Sequence, residues 1–409
     1  MGWSRRPLPG RRTGDIASAR RFRSMTLDLL DIDHLRGRRN VKWGTYPADV
    51  LPAWIADMDF GVAAPIRDFM QDKTSSSDFC YPLKPPYESL ERALRERMQS
   101  RYGWNVDPRR IEIINDVIQG IYIALQTYGE RGQQAVIQTP IYPPFLEAVG
   151  DTGRPGVLNP LIATAENFEI DFEGLLRTLS PDTRFLLLCN PHNPTGLVHD
   201  RGELETLAEI ALRHDLVVLS DEIHADLVFP GRAHIPIASL GPEIEARTVT
   251  FVSATKAFNM AGLRCAMAVF GSEKLHHEFN SVPRRLRGGM NAFGVEATRI
   301  AWTDCDEWLH ATLAYLQANR DFIGDFVRVN LPGIAYRTPR STFFAWFDCR
   351  SLGLGEEPYD FFLREAKVAL MPGPSFGPEG AGWTRLNFAT SREILAEILE
   401  RMSRALSER

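Results

Sequence analysis

The chain has 409 residues, enough for two or three domains at roughly 150 residues each, which excludes a minimal binding module and a lone disulfide-stapled fold. Hydrophobic residues make up 44% and charged residues 24%, the balance of a packed globular protein, and no apolar run reaches the eighteen or so residues of a membrane span. The net charge of −5 hides an asymmetry: residues 1–25 hold seven Arg and one Asp, a +6 segment ahead of a −11 body.

That segment has Pro and Gly where an amphipathic transit helix would form, and it lacks the apolar stretch of a secretory signal. A disordered basic tail is expected over residues 1–25, with Met25 an alternative initiator. An acidic body repels phosphate backbones, so no nucleic-acid partner is expected. The five cysteines (Cys80, Cys189, Cys265, Cys305, Cys349) are odd in number and form no C-x-x-C pair. Neither a disulfide framework nor a metal site is expected, and a reducing, cytoplasmic setting fits best.

Along the chain, the Pro-rich stretch Tyr81 to Tyr87 reads as a loop. From about residue 111, short apolar runs alternate with helical patterns, the mark of β-α units building a mostly parallel sheet. Strands are predicted at Ala135–Gln138, Phe185–Cys189, Val217–Ser220, Val249–Val252 and Cys265–Phe270. Between them, Ile121–Tyr128 and Glu203–Arg213 have helical periodicity; in the latter Leu204, Leu207, Ile210 and Ala211 share a face. After about Gly294 the pattern changes to a long helix including Trp308–Asn319, an alternating run Phe343–Phe347, a helix near Tyr359–Lys367, a strand Thr384–Phe388 and a closing helix from Arg392. The fold class is α/β, with a smaller α+β domain.

Ligands of open α/β sheets gather at the carboxyl ends of the strands, and three predicted strand ends carry polar chemistry. Phe185–Cys189 runs into Asn190-Pro191-His192-Asn193-Pro194-Thr195-Gly196, which alone could be a tight turn. Val217–Ser220 ends in Asp221-Glu222-Ile223-His224, which alone could be a satisfied hydrogen-bonded pair. Val249–Val252 ends in Ser253-Ala254-Thr255-Lys256, followed by Gly262-Leu263-Arg264. A single loop lysine is usually a solvated charge, but Ser, Lys and Arg together suit a phosphate.

Jointly these residues resemble the fold-type I pyridoxal-phosphate (PLP) enzymes, the aspartate aminotransferase superfamily (aminotransferase class I/II), from about Asn40 to the C-terminus. Within it they are most similar to the carbon-sulfur lyase branch, the cystathionine β-lyases of MalY/PatB type. The matching blocks are Leu51–Phe60 (LPAWIADMDF), Gln138–Phe145 (QTPIYPPF), Cys189–Gly196, Ser220–Leu227 (SDEIHADL), Phe258–Leu263 (FNMAGL) and Phe376–Ala389 (FGPEGAGWTRLNFA). The resemblance implies a large PLP-binding domain over residues 61–299 and a small domain with an N-terminal strap from residues 26–60 and 300–409.

It also implies roles. Lys256 would bind the cofactor as a Schiff base and, once released, shuttle the substrate Cα proton. Asp221 would pair with the pyridine nitrogen, and Asn193 and His224 would hydrogen-bond the ring hydroxylate. Tyr142 would stack on the ring face. Amides near Val117 and Ile118, at a helix N-terminus, would hold the phosphate with Ser253 and Arg264. Tyr81 would reach it from the neighbouring subunit, which makes the enzyme a homodimer with a shared active site. Arg385 would grip the substrate α-carboxylate bidentately.

Four positions depart from the branch. Asp116 stands where a Gly is usual, Ala257 replaces Thr, Cys80 replaces Gly, and Arg264 restores an arginine that the branch often lacks. The implied reaction is β-elimination from a cystathionine-like cysteine S-conjugate, giving a thiol, pyruvate and ammonia. Transamination, or a specialised-metabolism outcome such as decarboxylating deamination or cleavage of a bulky conjugate, is the alternative. A PLP-binding regulator is the other class, but residues 1–25 leave no room for a DNA-binding domain. Trp54, Met58 and Phe60 are expected in the core or an interface, Lys42 at the substrate or in solvent, His192 in its turn and Glu222 in a structural role.

Overall fold

The computed structural model describes residues 27–80 and 87–409, so the expected tail over residues 1–25 and Tyr81 lie outside the described residues. Seven strands form the central sheet: β1 (Ile111–Ile114), β2 (Gln134–Thr139), β3 (Gly156–Pro160), β4 (Thr183–Cys189), β5 (Val217–Asp221), β6 (Thr248–Val252) and β7 (Ala266–Phe270). Their order is β1-β7-β6-β5-β4-β2-β3. β7 runs against both its neighbours, and every pair from β6 to β3 is parallel.

The inner strands are continuous apolar runs because both faces of the sheet are covered. Side chains alternate between the faces: Ile137, Leu187 and Leu219 enter one core, Val136, Leu186 and Val218 the other. Helix α1 (Tyr87–Tyr102) precedes the sheet; α2 (Val117–Tyr128), α3 (Pro143–Asp151) and α4 (Arg201–Arg213) are inserted between its strands. α2 approaches the sheet closely at Gly120. A Cβ there would lie 2.6 Å from both Ile114 Cδ1 and Phe251 Cε1, so a larger residue would have to displace those buried side chains. α4 begins two residues before the predicted start because Asp200 and Glu203 form a capping box, which satisfies orphan amides at its first turn.

The later part of the chain contributes α5 (Asp306–Asn330), a four-stranded antiparallel sheet, and α6 (Arg392–Ser407). The strands are β8 (Ala335–Tyr336), β9 (Phe344–Asp348), β10 (Met371–Pro372) and β11 (Trp383–Asn387), in the order β8-β9-β11-β10. The helix expected near Tyr359–Lys367 is instead one α-turn, Pro358–Phe361, followed by a wider π-type turn, Phe362–Ala366. It stops at Lys367, whose φ is +55°, a left-handed value that ends helical hydrogen bonding. Among the described residues no helix is long and apolar enough to cross a membrane.

The N-terminal strap is tied to both parts. Leu51–Pro52 pairs in parallel with Val368–Ala369. The Asn387 amide donates to Ile55 O at 2.6 Å and Asp57 O at 2.8 Å. Asn259 donates to Met58 O and Phe60 O, each at 3.0 Å, and accepts from Met58 N at 2.9 Å. Met58 and Phe60 are buried, as expected of core residues. Lys42 is not in solvent and does not line the cavity described below: it is 1% exposed, and its Nζ donates to Asp59 Oδ2 at 2.7 Å and Asp57 O at 3.1 Å. Trp43 Nε1 completes the cluster by donating to Asp59 Oδ1 at 2.7 Å, so the buried carboxylate is held by two donors.

Candidate active site

The strand ends β4, β5 and β6, the N-terminus of α2 and the strap converge on a cavity of about 440 Å³. Nine of the eleven residues singled out in the sequence line it: Val117, Ile118, Tyr142, Asn193, Asp221, His224, Ser253, Lys256 and Arg264. Arg385 stands behind it on β11, bonded to Asn193. Tyr81 lies outside the described residues.

Each side chain is placed by a local device. The turn after β4 is closed by bonds from Gly196 N to His192 O and from His192 N to Leu197 O, both at 2.8 Å, and His192 Nδ1 meets Thr195 Oγ1 at 2.8 Å. Gly196 has φ +69°, and a Cβ there would lie 2.3 Å from Pro339 Cβ; only glycine combines that conformation with that approach. The turn therefore presents Asn193 to the cavity. Lys256 follows β6 in a turn held by Phe258 N to Ala254 O and Met260 N to Thr255 O, each at 3.0 Å. Its Nζ finds one carbonyl, Ala56 O, at 3.4 Å.

The electrostatics are dominated by burial. Burial pushes the Asp221 carboxyl up to about 7; the Ile223 N–H on Oδ1 works against this, the Glu222 charge adds to it, and Lys256 opposes it. Burial pulls the Lys256 ammonium below its ordinary value, with Asp57 resisting. His224 falls to about 3 through burial and the nearby Lys256 and Arg385 charges, so its imidazole is neutral at physiological pH. Arg385 is 2% exposed and burial pulls it down to about 9. Its guanidinium donates to Asn193 Oδ1 and Trp54 O, both at 2.8 Å, and lies 4.0 Å from the Phe344 ring centroid, a cation–π contact.

At the other end of the cavity, α2 offers the amides of its first turn, which have no carbonyl within the helix to meet. Asp116 is its N-cap, accepting from Gln119 N at 2.8 Å with Oδ1. Its Oδ2 accepts from Arg264 Nη1 at 3.0 Å. Two of the four departures noted in the sequence are thus one ion pair, 69% exposed on the arginine and 40% on the aspartate. Ser253 Oγ donates to Cys265 O at 2.6 Å and accepts from Thr255 N at 3.1 Å. Thr255, not singled out in the sequence, lines the cavity and meets Ser253 Oγ at 2.8 Å. Asn259 and Asn387, which fasten the strap, were also missed as individuals, although both lie inside blocks that carried the resemblance.

These residues fit pyridoxal phosphate. His224 Nδ1 and Arg385 Nε are buried and without partners, Asp221 is a buried carboxyl lacking a cation in contact, and a helix N-terminus beside an arginine suits a phosphate.

Comparison with known proteins agrees. Residues 57–402 match the model of the family described as aminotransferase class I and II, and the chain belongs to that family of PLP-dependent, fold-type I enzymes. It is 35% identical over 379 residues to cystathionine beta-lyase PatB of Bacillus subtilis, covering 91% of this chain and 97% of PatB. The crystal structure of OvoB superposes with a TM-score of 0.87 at 37% identity, covering 94% of this chain and 99% of OvoB. The PLP-bound C-S lyase of Staphylococcus hominis gives a TM-score of 0.85 at 28% identity, covering 93% and 99%. Within the family the chain falls in the MalY/PatB carbon-sulfur lyase branch.

Proposed function

We propose that the chain is a PLP-dependent carbon-sulfur β-lyase that takes a cystathionine-like cysteine S-conjugate to a thiol, pyruvate and ammonia. The observation that carries this reading is the convergence of Lys256 and Asp221 on one cavity, with Arg385 bonded behind it to the lining residue Asn193, in a chain whose curated relatives include cystathionine β-lyases. When bound, pyridoxal phosphate supplies an electron sink for the pair left on the substrate Cα.

The chain's residues divide the remaining work. Lys256 is kept by burial closer to its neutral amine, the form that accepts a proton from Cα. Asp221 ends β5 where a carboxylate can meet the pyridine nitrogen, and that cation would offset the cost of its buried charge. Asn193 and the neutral His224 can hydrogen-bond the ring oxygen, and Tyr142 covers the ring. The amides of Val117 and Ile118, with Arg264 and Thr255, form the phosphate cup, and Ser253 joins it when its hydroxyl turns from Cys265 O to the phosphate. Arg385 keeps its fork pre-aligned on Asn193 and Trp54 O, so little ordering entropy is lost when it takes a carboxylate.

The division into domains of residues 61–299 and of residues 26–60 with 300–409 belongs to the same reading, as does a homodimer in which Tyr81 serves the partner's site. Phe79, two residues before Tyr81, is 62% exposed, which supports an interface there. A cytoplasmic setting is supported by five free cysteines, four of them buried.

The test is product analysis. Holoenzyme incubated with cystathionine should form pyruvate steadily without any α-keto acid. No pyruvate, with amino transfer from cystathionine to an added α-keto acid and the C–S bond left intact, would overturn the lyase reading in favour of transamination.

A further inference from the structure

Behind the site, on the side of β5 away from Asp221, lies a polar group that the reaction as described does not use. Ser220 and Glu222 flank Asp221 in sequence, so along an extended strand their side chains leave on the opposite face. Glu222 is 2% exposed and Ser220 fully buried. Ser220 Oγ donates to Glu222 Oε1 at 2.9 Å, and Glu222 Oε2 meets His234 Nε2 at 2.8 Å. The His234 side chain is fully buried and its Nδ1 has no partner.

These contacts define the charge state. Glu222 receives a hydroxyl on one oxygen and an imidazole N–H on the other, the pattern of an acceptor-only carboxylate. A cationic His234 would carry a second N–H, on Nδ1, with nothing to receive it, which is costlier than an unused lone pair. Neutral His234 donating to ionised Glu222 leaves one negative charge beside Asp221. The group is braced from α1: the Tyr102 ring stands edge-on to His234 at 5.1 Å, and Tyr102 OH donates to Asp226 Oδ1 at 3.3 Å. Arg97 forks onto the same Asp226, with Nη2 to Oδ1 at 2.8 Å.

We propose that Ser220, Glu222 and His234 form a positioning relay that fixes the end of β5 and sets the negative potential at Asp221, and through it the proton affinity of the cofactor. The inference rests on the placing of the cofactor over Asp221. Asp221 itself is faced by Lys256 from the turn after β6, by the Cys189 thiol at the end of β4, by Tyr142 ahead of α3 and by Glu222, the residue just past the end of its strand. Glu222 is the one carboxylate in that set, so removing its charge acts in one direction.

The experiment is a pH titration of the visible cofactor band of holoenzyme, read without substrate. Glu222→Gln removes the charge and keeps the shape; the midpoint between the two absorbing forms should fall by about one pH unit. Ser220→Ala takes one donor from the carboxylate and leaves its charge less offset, so the midpoint should rise. His234→Gln, which keeps an N–H donor, should stay near the parent value. A purely structural role would lower thermal stability in all three and move no midpoint, and that result overturns the proposal; should Glu222→Gln not fold, an unmoved or lowered midpoint in Ser220→Ala overturns it alone. Asp221→Asn is the control. If it leaves band and cofactor retention unchanged, the placing of the cofactor is wrong; if it alters them while Glu222→Gln is silent, the relay alone is rejected.

Discussion

Asp221 holds the sharpest conflict between burial and charge in the site. Its carboxyl is pushed up to about 7 in the folded chain, mainly by burial, against about 3.9 in a solvated peptide. Between these values the cofactor-free fold binds a proton that the unfolded chain has lost, so stability from the neutral carboxyl is full below pH about 4 and disappears as pH rises through about 7. Cofactor-free protein should therefore lose melting temperature from pH 5 to pH 8. Asp221→Asn, neutral throughout, should flatten that fall by several degrees, as measured by scanning calorimetry; an identical slope in the variant would contradict the assignment. The sequence made Asp221 legible because it ends an apolar strand in a matched block. It could not show the partnerless state of His224 Nδ1 or the clamp of Asn259, because both depend on segments brought together from far along the chain.

At the scale of elements, the α2 N-terminus is the informative case. The sequence puts Val117 and Ile118 at a helix start but predicts the helix itself from Ile121, since Val117-Ile118-Gln119-Gly120 offers a glycine and no capping signal stronger than Asp116. The structure makes Asp116 the cap and gives its second oxygen to Arg264. An exposed ion pair is worth about 1 kcal/mol or less, so Asp116 adds little by orienting Arg264, while its charge sits beside the proposed phosphate cup. Asp116→Asn keeps the capping oxygen and removes that charge. Cofactor affinity, titrated by fluorescence quenching, should rise up to about fivefold, corresponding to about 1 kcal/mol; a weaker cofactor complex would show that the carboxylate is needed to hold Arg264 in place. The inner strands were legible to within two residues because a covered parallel strand is an unbroken apolar run. The π-type turn at Phe362–Ala366 was not, since its residues carry an ordinary helical pattern and the left-handed Lys367 that ends it has no sequence mark.

For the whole molecule, the site is a product of topology: three neighbouring strands, β4, β5 and β6, end on one side of the sheet, and the strap closes over them by way of Asn259 and Asn387. Burial of Lys42 with Asp59 follows from the same closure, which explains why a lysine near the site is structural. The chain has six lysines, Lys42, Lys73, Lys84, Lys256, Lys274 and Lys367, and the proposed site requires that Lys256 alone carry the cofactor. Borohydride reduction of holoenzyme fixes the cofactor to the amine that holds it, and peptide mass mapping then locates the label. The predicted result is one phosphopyridoxyl group per chain, on the peptide containing Lys256; a label at any other lysine, or none in a protein that retains its visible band, would contradict the site.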